Sequence, residues 1–375
     1  MKKNIVILGS NSVLGLKAIE FFQKYPNKFI IVGISYDDTV NNLPVFINQI
    51  NIINPKIIYT DKHEIEKEIL EKTKTNATIY SEEPNFTYFL KATEIDSVIS
   101  ALADVSSVKK ILSAIYEYKD ITLLNSAPIL YSGSIIPKEA ESKGVFLNIC
   151  TYSLYSLDQF LKIRKVKDVN SIYLFTNLKS KELKLNPSDY TEYFDYEKVF
   201  NSLNKLRVLY AMYLVNHIYN IPADKFRFYE QSSSLISVLV QFDDGSNLLS
   251  STKKNIDYIL NYYFLDTETL KDMIYPNFDD ITISFKQVDP KEYEFLTLGV
   301  DALKEGGLSP IIFYLTMKTI TELMYNKKLK DKVKIINILK EIITNKDYLS
   351  KHLNLGSILT LDQKITEEIT TKYGK

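Results

Sequence analysis

The stretch Lys3-Asn4-Ile5-Val6-Ile7-Leu8-Gly9-Ser10-Asn11-Ser12-Val13-Leu14-Gly15 constrains the fold more than any other part of the chain. Four consecutive apolar residues, Ile5 to Leu8, lead into a turn of small residues. A continuous apolar run of this kind suits a strand buried on both faces of a parallel sheet. Residues 16–22 continue with the spacing of a helix. Strand, tight small-residue turn and helix form the opening unit of a Rossmann-like fold, in which backbone N–H groups approach a pyrophosphate at a helix N-terminus. The spacing is G-x-x-S-x-x-G, with Ser12 where a middle glycine is usual. Gly9, Ser10, Asn11, Ser12, Val13 and Leu14 are therefore the first candidate cofactor-binding residues.

The second apolar run, residues 28–35, ends in Tyr36-Asp37-Asp38. An acidic residue about 20 positions past the glycines can take the hydroxyls of an adenosine ribose. Asp37 is the candidate there, with Asp38 beside it. Two carboxylates would repel a 2′-phosphate and favour NADH over NADPH. A solvated loop carrying two acids fits the same residues.

Further strands are expected at residues 55–61, 96–102, 120–126 and 144–149, with helices at 64–74 and 105–118. Strands alternating with helices predict a parallel sheet with right-handed crossovers. The pattern changes after residue 150. Helices are expected at 155–165 and 198–219, and strands at 169–175, 233–242, 247–250 and 281–285, with Asp243-Asp244-Gly245-Ser246 as a turn. Beyond 291 the chain reads as helices only, at 295–304, 310–326, 333–344 and 361–372, with Leu361-Asp362 as the cap of the last. The expected class is α/β, with a Rossmann-like parallel sheet over 1–150, a central α+β domain over 151–290 and a C-terminal helical bundle over 291–375.

Composition excludes several function classes. Lys+Arg and Asp+Glu both number 46 in 375 residues, which argues against nucleic acid or a basic membrane patch as partner. The single cysteine, Cys150, cannot form an internal disulfide or a cysteine zinc site. With no signal-peptide pattern and no long apolar run, a cytoplasmic location is expected. The 27 tyrosines read as compositional bias and receive no functional weight.

The order and punctuation of these elements resemble the 1-deoxy-D-xylulose-5-phosphate reductoisomerase family over almost the full length. The resemblance rests on Leu8-Gly9-Ser10 with Val13-Leu14-Gly15, Pro26-Asn27-Lys28-Phe29, Leu124-Asn125, Phe242-Asp243-Asp244-Gly245-Ser246, Gly306-Gly307, Ser309-Pro310 and Leu361-Asp362. It implies three domains, a homodimer, NADPH, a divalent metal and a small phosphorylated ketose that is isomerised and then reduced on the non-mevalonate route to isoprenoids. Asn125 is carried over as a cofactor-edge residue. Thr151, Ser202 and Arg207 are carried over to the substrate end.

The resemblance stops at the chemistry. Where the family carries aspartate-serine-glutamate-histidine for its metal, this chain reads Cys150-Thr151-Tyr152-Ser153, and its third acidic ligand matches Ala211. Hard cations need carboxylates, so no metal ligand is assigned and no catalytic residue is named. Asp158, Asp189 and Asp195 are the nearest acids in sequence. The asparagine patch after Pro310 reads Tyr314-Leu315-Thr316-Met317-Lys318, and a glycine near the cofactor is Asp104. Cys150 is expected as a small core residue and His217 as a residue of the long helix's face; with His63 and His352 in other elements, no histidine cluster is expected. Two readings follow: a degenerate enzyme that retains NADPH or NADH and a small substrate, with a changed NAD-dependent chemistry as its variant, and a non-catalytic paralogue kept for structure or a partner.

Overall fold

A computed structural model describes residues 2–177, 206–231, 236–251, 256–265, 284–326, 328–329 and 331–374. The first unit alternates β1 (Lys3–Leu8), α1 (Val13–Gln23), β2 (Phe29–Ser35), α2 (Leu43–Ile53), β3 (Ile57–Thr60), α3 (His63–Lys72), β4 (Thr78–Ser81), α4 (Phe86–Lys91), β5 (Ser97–Ser100), α5 (Ser107–Tyr116), β6 (Asp120–Leu123), α6 (Ala127–Ser132), α7 (Ile135–Lys143) and β7 (Leu147–Ile149). Its seven strands lie in the order β4-β3-β2-β1-β5-β6-β7, and the pairings are parallel throughout. The order runs outward in both directions from β1, so the chain reverses its direction of travel between β1 and β5.

The apolar run that opens the chain is divided between the two faces of this sheet. Ile5 and Ile7 join Phe21, Phe22 and Phe29 on one side, and Val6 and Leu8 join Val98, Ile111 and Ile115 on the other. Successive strand side chains point to opposite faces, so a strand covered on both sides must be apolar at every position.

The next elements are α8 (Tyr152–Ile163), β8 (Val169–Asn177), α9 (Leu206–Tyr219), β9 (Phe226–Gln231), β10 (Ile236–Phe242), β11 (Asn247–Ser251), α10 (Ile256–Phe264) and β12 (Phe285–Gln287). Five strands form a mixed sheet in the order β11-β10-β8-β9-β12, in which β8 and β9 are parallel and the other pairs antiparallel. α10 leaves this region to lie on α1: the Phe264 ring meets Phe22 edge-on at 5.0 Å and Phe29 at 6.0 Å. The last region holds α11 (Glu294–Glu305), α12 (Ser309–Tyr325), α13 (Lys332–Ile343), α14 (Lys346–Leu349) and α15 (Leu355–Tyr373).

Several elements differ from the sequence expectations. α2, α4, α6, α7, α10, α14 and the strands β4, β9 and β12 have no counterpart, apart from Phe285 of β12, which the expected strand over 281–285 includes. Residues 281–283 of that strand lie outside the described residues. The final helix begins six positions before Leu361, because Asn354 supplies the cap and accepts a hydrogen bond from the Ser357 N–H. Leu361 and Asp362 are interior to that helix. Ile358, Leu361, Ile365 and Ile369 form its buried stripe, at the spacing of one helix face.

The approach of α1 to β1 depends on Gly15. A Cβ there would lie 2.3 Å from the Gly9 carbonyl oxygen and 2.6 Å from the Ser10 Cα, and both are backbone atoms. Gly15→Ala must push the helix off the strand. It is expected to lower stability by about 3 kcal/mol, measured as a shifted denaturant midpoint. Wild-type stability in this variant would show that the contact is not tight.

Candidate functional site

In an open parallel sheet, ligands bind outside the carboxyl ends of the strands at the point where strand order reverses. Here that point lies between β1 and β5, and the loops after β1, β2, β5, β6 and β7 surround it. Gly9 to Leu14, Asp37, Asp104, Asn125 and Thr151 all fall in these loops or the helix turns they open. Arg207 stands apart on the first turn of α9, and Ser202 lies outside the described residues.

The first loop is held by its own side chains. Gly9 adopts φ +69°, the conformation that favours glycine, and its N–H donates to Ser35 Oγ at 2.9 Å. Ser10 Oγ donates to Gln49 Oε1 at 2.8 Å, and Gln49 Nε2 donates to the Ser10 carbonyl at 2.7 Å, which ties the loop to α2. Asn11 bonds the backbone of Asp37 on both sides: its Nδ2 donates to the carbonyl at 3.0 Å and its Oδ1 accepts from the N–H at 2.7 Å. Ser12 Oγ donates to the Gly9 carbonyl and accepts from the Gly15 N–H at 3.1 Å, which caps α1. Val13 and Leu14 open the helix, so their N–H groups have no intrahelical acceptor and carry the positive end of the helix dipole.

The two acids after β2 have different environments. Asp37 is buried, and its Oδ1 accepts from the N–H and hydroxyl of Thr39 at 2.9 and 2.6 Å. The picture of a solvated loop therefore does not hold for Asp37, which stabilises the turn. Asp38 pairs through Oδ1 with Lys62 at 3.4 Å. Its Oδ2 is shielded from solvent and has no hydrogen-bond partner. Burial raises the pKa of both carboxyl groups. Asp104 Oδ2 accepts from the Ser106 N–H at 3.0 Å at the start of α5.

On the other side of the switch point, Asn125 is buried. Its Oδ1 accepts from the Ala127 N–H at 2.9 Å, whereas Nδ2 is buried without an acceptor. At the end of β7, Cys150 is buried and forms no disulfide. Thr151 is buried, and its Oγ1 accepts from the Leu154 N–H at 3.2 Å as the cap of α8. Ala211 is buried on α9. Asp158 accepts from the Tyr219 hydroxyl at 3.3 Å, and Asp189 and Asp195 lie outside the described residues. Among the described residues no group of three or more His, Cys, Asp or Glu side chains is placed to hold a metal ion.

Sequence reasoning gave the tyrosines no role, yet they fill the junction of α6, α9 and α12. Tyr131 meets Tyr314 edge-on at 5.0 Å, Tyr210 meets Tyr314 at 5.3 Å, and Tyr213 meets Phe313 at 6.0 Å. Lys318 Nζ lies 5.4 Å from the Tyr131 ring centre and 3.1 Å from Asp362. The Tyr213 hydroxyl donates to the Gly299 carbonyl at 2.6 Å. The i, i+4 spacing of Tyr210 and Tyr314 to Leu214 and Lys318 was the available signal, but it does not say which helices meet.

His217 belongs to the buried side of α9, beside the Tyr213 ring, and its Nε2 has no partner. His63 and His352 are exposed on other elements, so the three histidines form no cluster. Burial lowers the His217 pKa from 6.5 to about 4.

A profile of the 1-deoxy-D-xylulose 5-phosphate reductoisomerase family matches residues 5–133. The chain is 24% identical to the 1-deoxy-D-xylulose 5-phosphate reductoisomerase of Clostridium novyi, over 99% of each chain. It is 22% identical to that of Thermoanaerobacter sp. (strain X514), again over 99% of each. The reductoisomerase of Zymomonas mobilis in complex with NADPH superposes with a TM-score of 0.81 at 14% identity, covering 100% of this chain and 99% of that one. A DOX-P reductoisomerase in complex with magnesium superposes with a TM-score of 0.79 at 15% identity, covering 100% and 99%. Sheet order and glycine turn define a Rossmann-like protein with an added mixed sheet and helical region. Within that class the chain is similar over its full length to the 1-deoxy-D-xylulose 5-phosphate reductoisomerases.

The buried His217 gives the fold a pH dependence of known sign. Its imidazole stays neutral in the folded state down to about pH 4, whereas the unfolded chain takes up a proton near 6.5. Stability is therefore full above about pH 6.5 and falls as pH drops toward 4, by at most ~3 kcal/mol from this group. His217→Phe removes that part of the slope, which urea titrations at pH 7.5 and 4.5 would measure. An unchanged slope would place the titration elsewhere.

Proposed function

We propose that the chain binds a nicotinamide dinucleotide at the β1–β5 switch point and does not carry out the metal-supported isomerisation of its relatives. The residues present fit the dinucleotide. Gly9 and Gly15 keep the turn and the close helix approach, the N–H groups of Val13 and Leu14 suit a phosphate oxygen, and the shielded Asn125 Nδ2 is a donor that lacks an acceptor. When bound, such a cofactor supplies a hydride; this chain's residues hold and orient it.

The residues do not fit the metal. A hard cation dehydrates only for several oxygen ligands, carboxylates foremost. The observation that carries the reading is the end of β7, where a buried thiol and a threonine used as a helix cap stand in place of the family's ligand run. The substrate residues Thr151, Ser202 and Arg207 belong to this proposal, as do the three domains 1–150, 151–290 and 291–375, a homodimer and a cytoplasmic location. No helix of the described residues is long and apolar enough to cross a membrane.

A second reading is a non-catalytic paralogue kept for its structure or a partner. Its support is the packing of Tyr131, Tyr210 and Tyr314 next to the segment after Pro310 that matches the family's substrate-lining patch.

The test is turnover of 1-deoxy-D-xylulose 5-phosphate with NADPH and Mg²⁺ or Mn²⁺, alongside NADH and NADPH titrations followed by fluorescence. No turnover above background with micromolar dinucleotide binding is expected. Turnover at ordinary enzyme rates, of about 1 s⁻¹ or more, would overturn the proposal. Absence of binding at millimolar dinucleotide would leave only the non-catalytic reading.

A further inference from the structure

We infer that Asp38, and not the neighbouring Asp37, reads the adenosine ribose of the dinucleotide and selects NADH over NADPH. The inference rests on the dinucleotide reading above. The two acids occupy successive positions at the carboxyl end of β2, the strand beside β1, where the adenosine half of a bound dinucleotide lies. Sequence spacing alone does not choose between them.

The hydrogen bonds do. Asp37 is held through its backbone and one carboxylate oxygen: Asn11 bonds its N–H and its carbonyl, and Thr39 donates twice to its Oδ1. Its carboxylate closes the turn and is buried within it. Asp38 has one oxygen near Lys62 and one, Oδ2, that accepts nothing. A shielded carboxylate oxygen without a donor is destabilising unless something supplies one, and a ribose hydroxyl is such a donor. The Lys62 side chain is 59% exposed and 3.4 Å from the other oxygen, so it gives way at little cost.

A second unsatisfied group lies on the same stretch. The Tyr36 side chain is 1% exposed, its hydroxyl has no hydrogen-bond partner, and Asp38 is the charge that acts on it most strongly. A donor and an acceptor left open two residues apart in sequence suit a vicinal diol, which can both give and accept. A 2′-phosphate would bring two negative charges to Asp37, Asp38 and the nearby Asp61. Lys110 is already paired with Asp61, which leaves Lys62 as the cation with the weaker engagement.

The experiment is equilibrium binding of NADH and NADPH, with ADP-ribose and 2′-phospho-ADP-ribose as probes of the adenosine end alone. It uses the wild-type chain and the Asp38→Asn, Asp37→Asn and Lys62→Ala variants. The wild type is expected to bind the unphosphorylated form of each pair roughly 10- to 100-fold more tightly, the range of a hydrogen bond to a charged acceptor. Asp38→Asn should bring that ratio close to one. Asp37→Asn should lower the melting temperature and leave the ratio unchanged, and Lys62→Ala should leave affinity for the unphosphorylated form unchanged. Preference for the phosphorylated forms, or a ratio that follows Asp37 and ignores Asp38, would overturn the assignment while leaving the dinucleotide reading intact. Failure of all four probes to bind would overturn both.

Discussion

The contact between the backbone of α1 at Gly15 and the backbone of the turn at Gly9 and Ser10 sets the position of almost everything else. It fixes the distance of the first helix from the central strand. It aims the helix N-terminus at the switch point, and it presents Phe21 and Phe22 to Phe29 and, from the far region of the chain, to Phe264. No side chain can occupy that gap, so the glycine is dictated by packing. Gly9 is dictated separately, by its positive φ and by Leu102, whose Cδ2 would lie 2.9 Å from an added Cβ.

Ser12 differs from these two glycines. In Rossmann-type turns the middle glycine lets the backbone approach a pyrophosphate, and nothing in the packing of helix on strand requires glycine there. Serine at this position caps the helix through Gly15 and bonds back to Gly9. The same division runs through the loop. Ser10 and Asn11 turn their polar groups to α2 and to the end of β2, and little of the loop's side-chain chemistry is left for a ligand. The backbone N–H groups at the helix start are what remain. A phosphate can use them, because they belong to the helix itself.

How much of this was legible in the sequence follows from the range of each interaction. Six of the seven strands of the first sheet are legible because burial on both faces demands unbroken apolar runs, as in Ile5 to Leu8, whereas the edge strand β4 is only partly buried and has no such run. The helices α4 and α6 span six residues each and α7 is largely polar, so they carry little periodic signal, and α2, Leu43–Ile53, is dominated by isoleucine and asparagine, which favour helix weakly. The end of the last helix was misplaced for a local reason: Asn354 caps better than Leu361-Asp362, whose leucine belongs to the buried stripe. At the site, sequence gave the loops and the two acids but not their roles. Asp37 and Asp38 are equivalent by spacing, and only their partners separate them. The tyrosine junction was invisible because Tyr131, Tyr210 and Tyr314 come from three distant segments.

Under the proposed function the metal site is lost without disturbing the fold around it, and the packing at the end of β7 supplies the reason. A carboxylate that binds a cation contributes nothing to the core, since it must stay turned toward the ligand. Replacing it by a buried thiol removes the need to hold a charge at a strand end. The following threonine serves the helix, as its Oγ1 meets an orphan N–H of the first turn of α8. At the helix junction, the neutral rings of Tyr131 and Tyr314 pack against each other, and Lys318 lies over one of them while paired with Asp362. Such substitutions favour the empty protein, whereas a metal site favours the loaded one. With such residues at the β7 end and at the helix junction, and with Gly9 and Gly15 where backbone geometry calls for glycine, the architecture stands on its own packing.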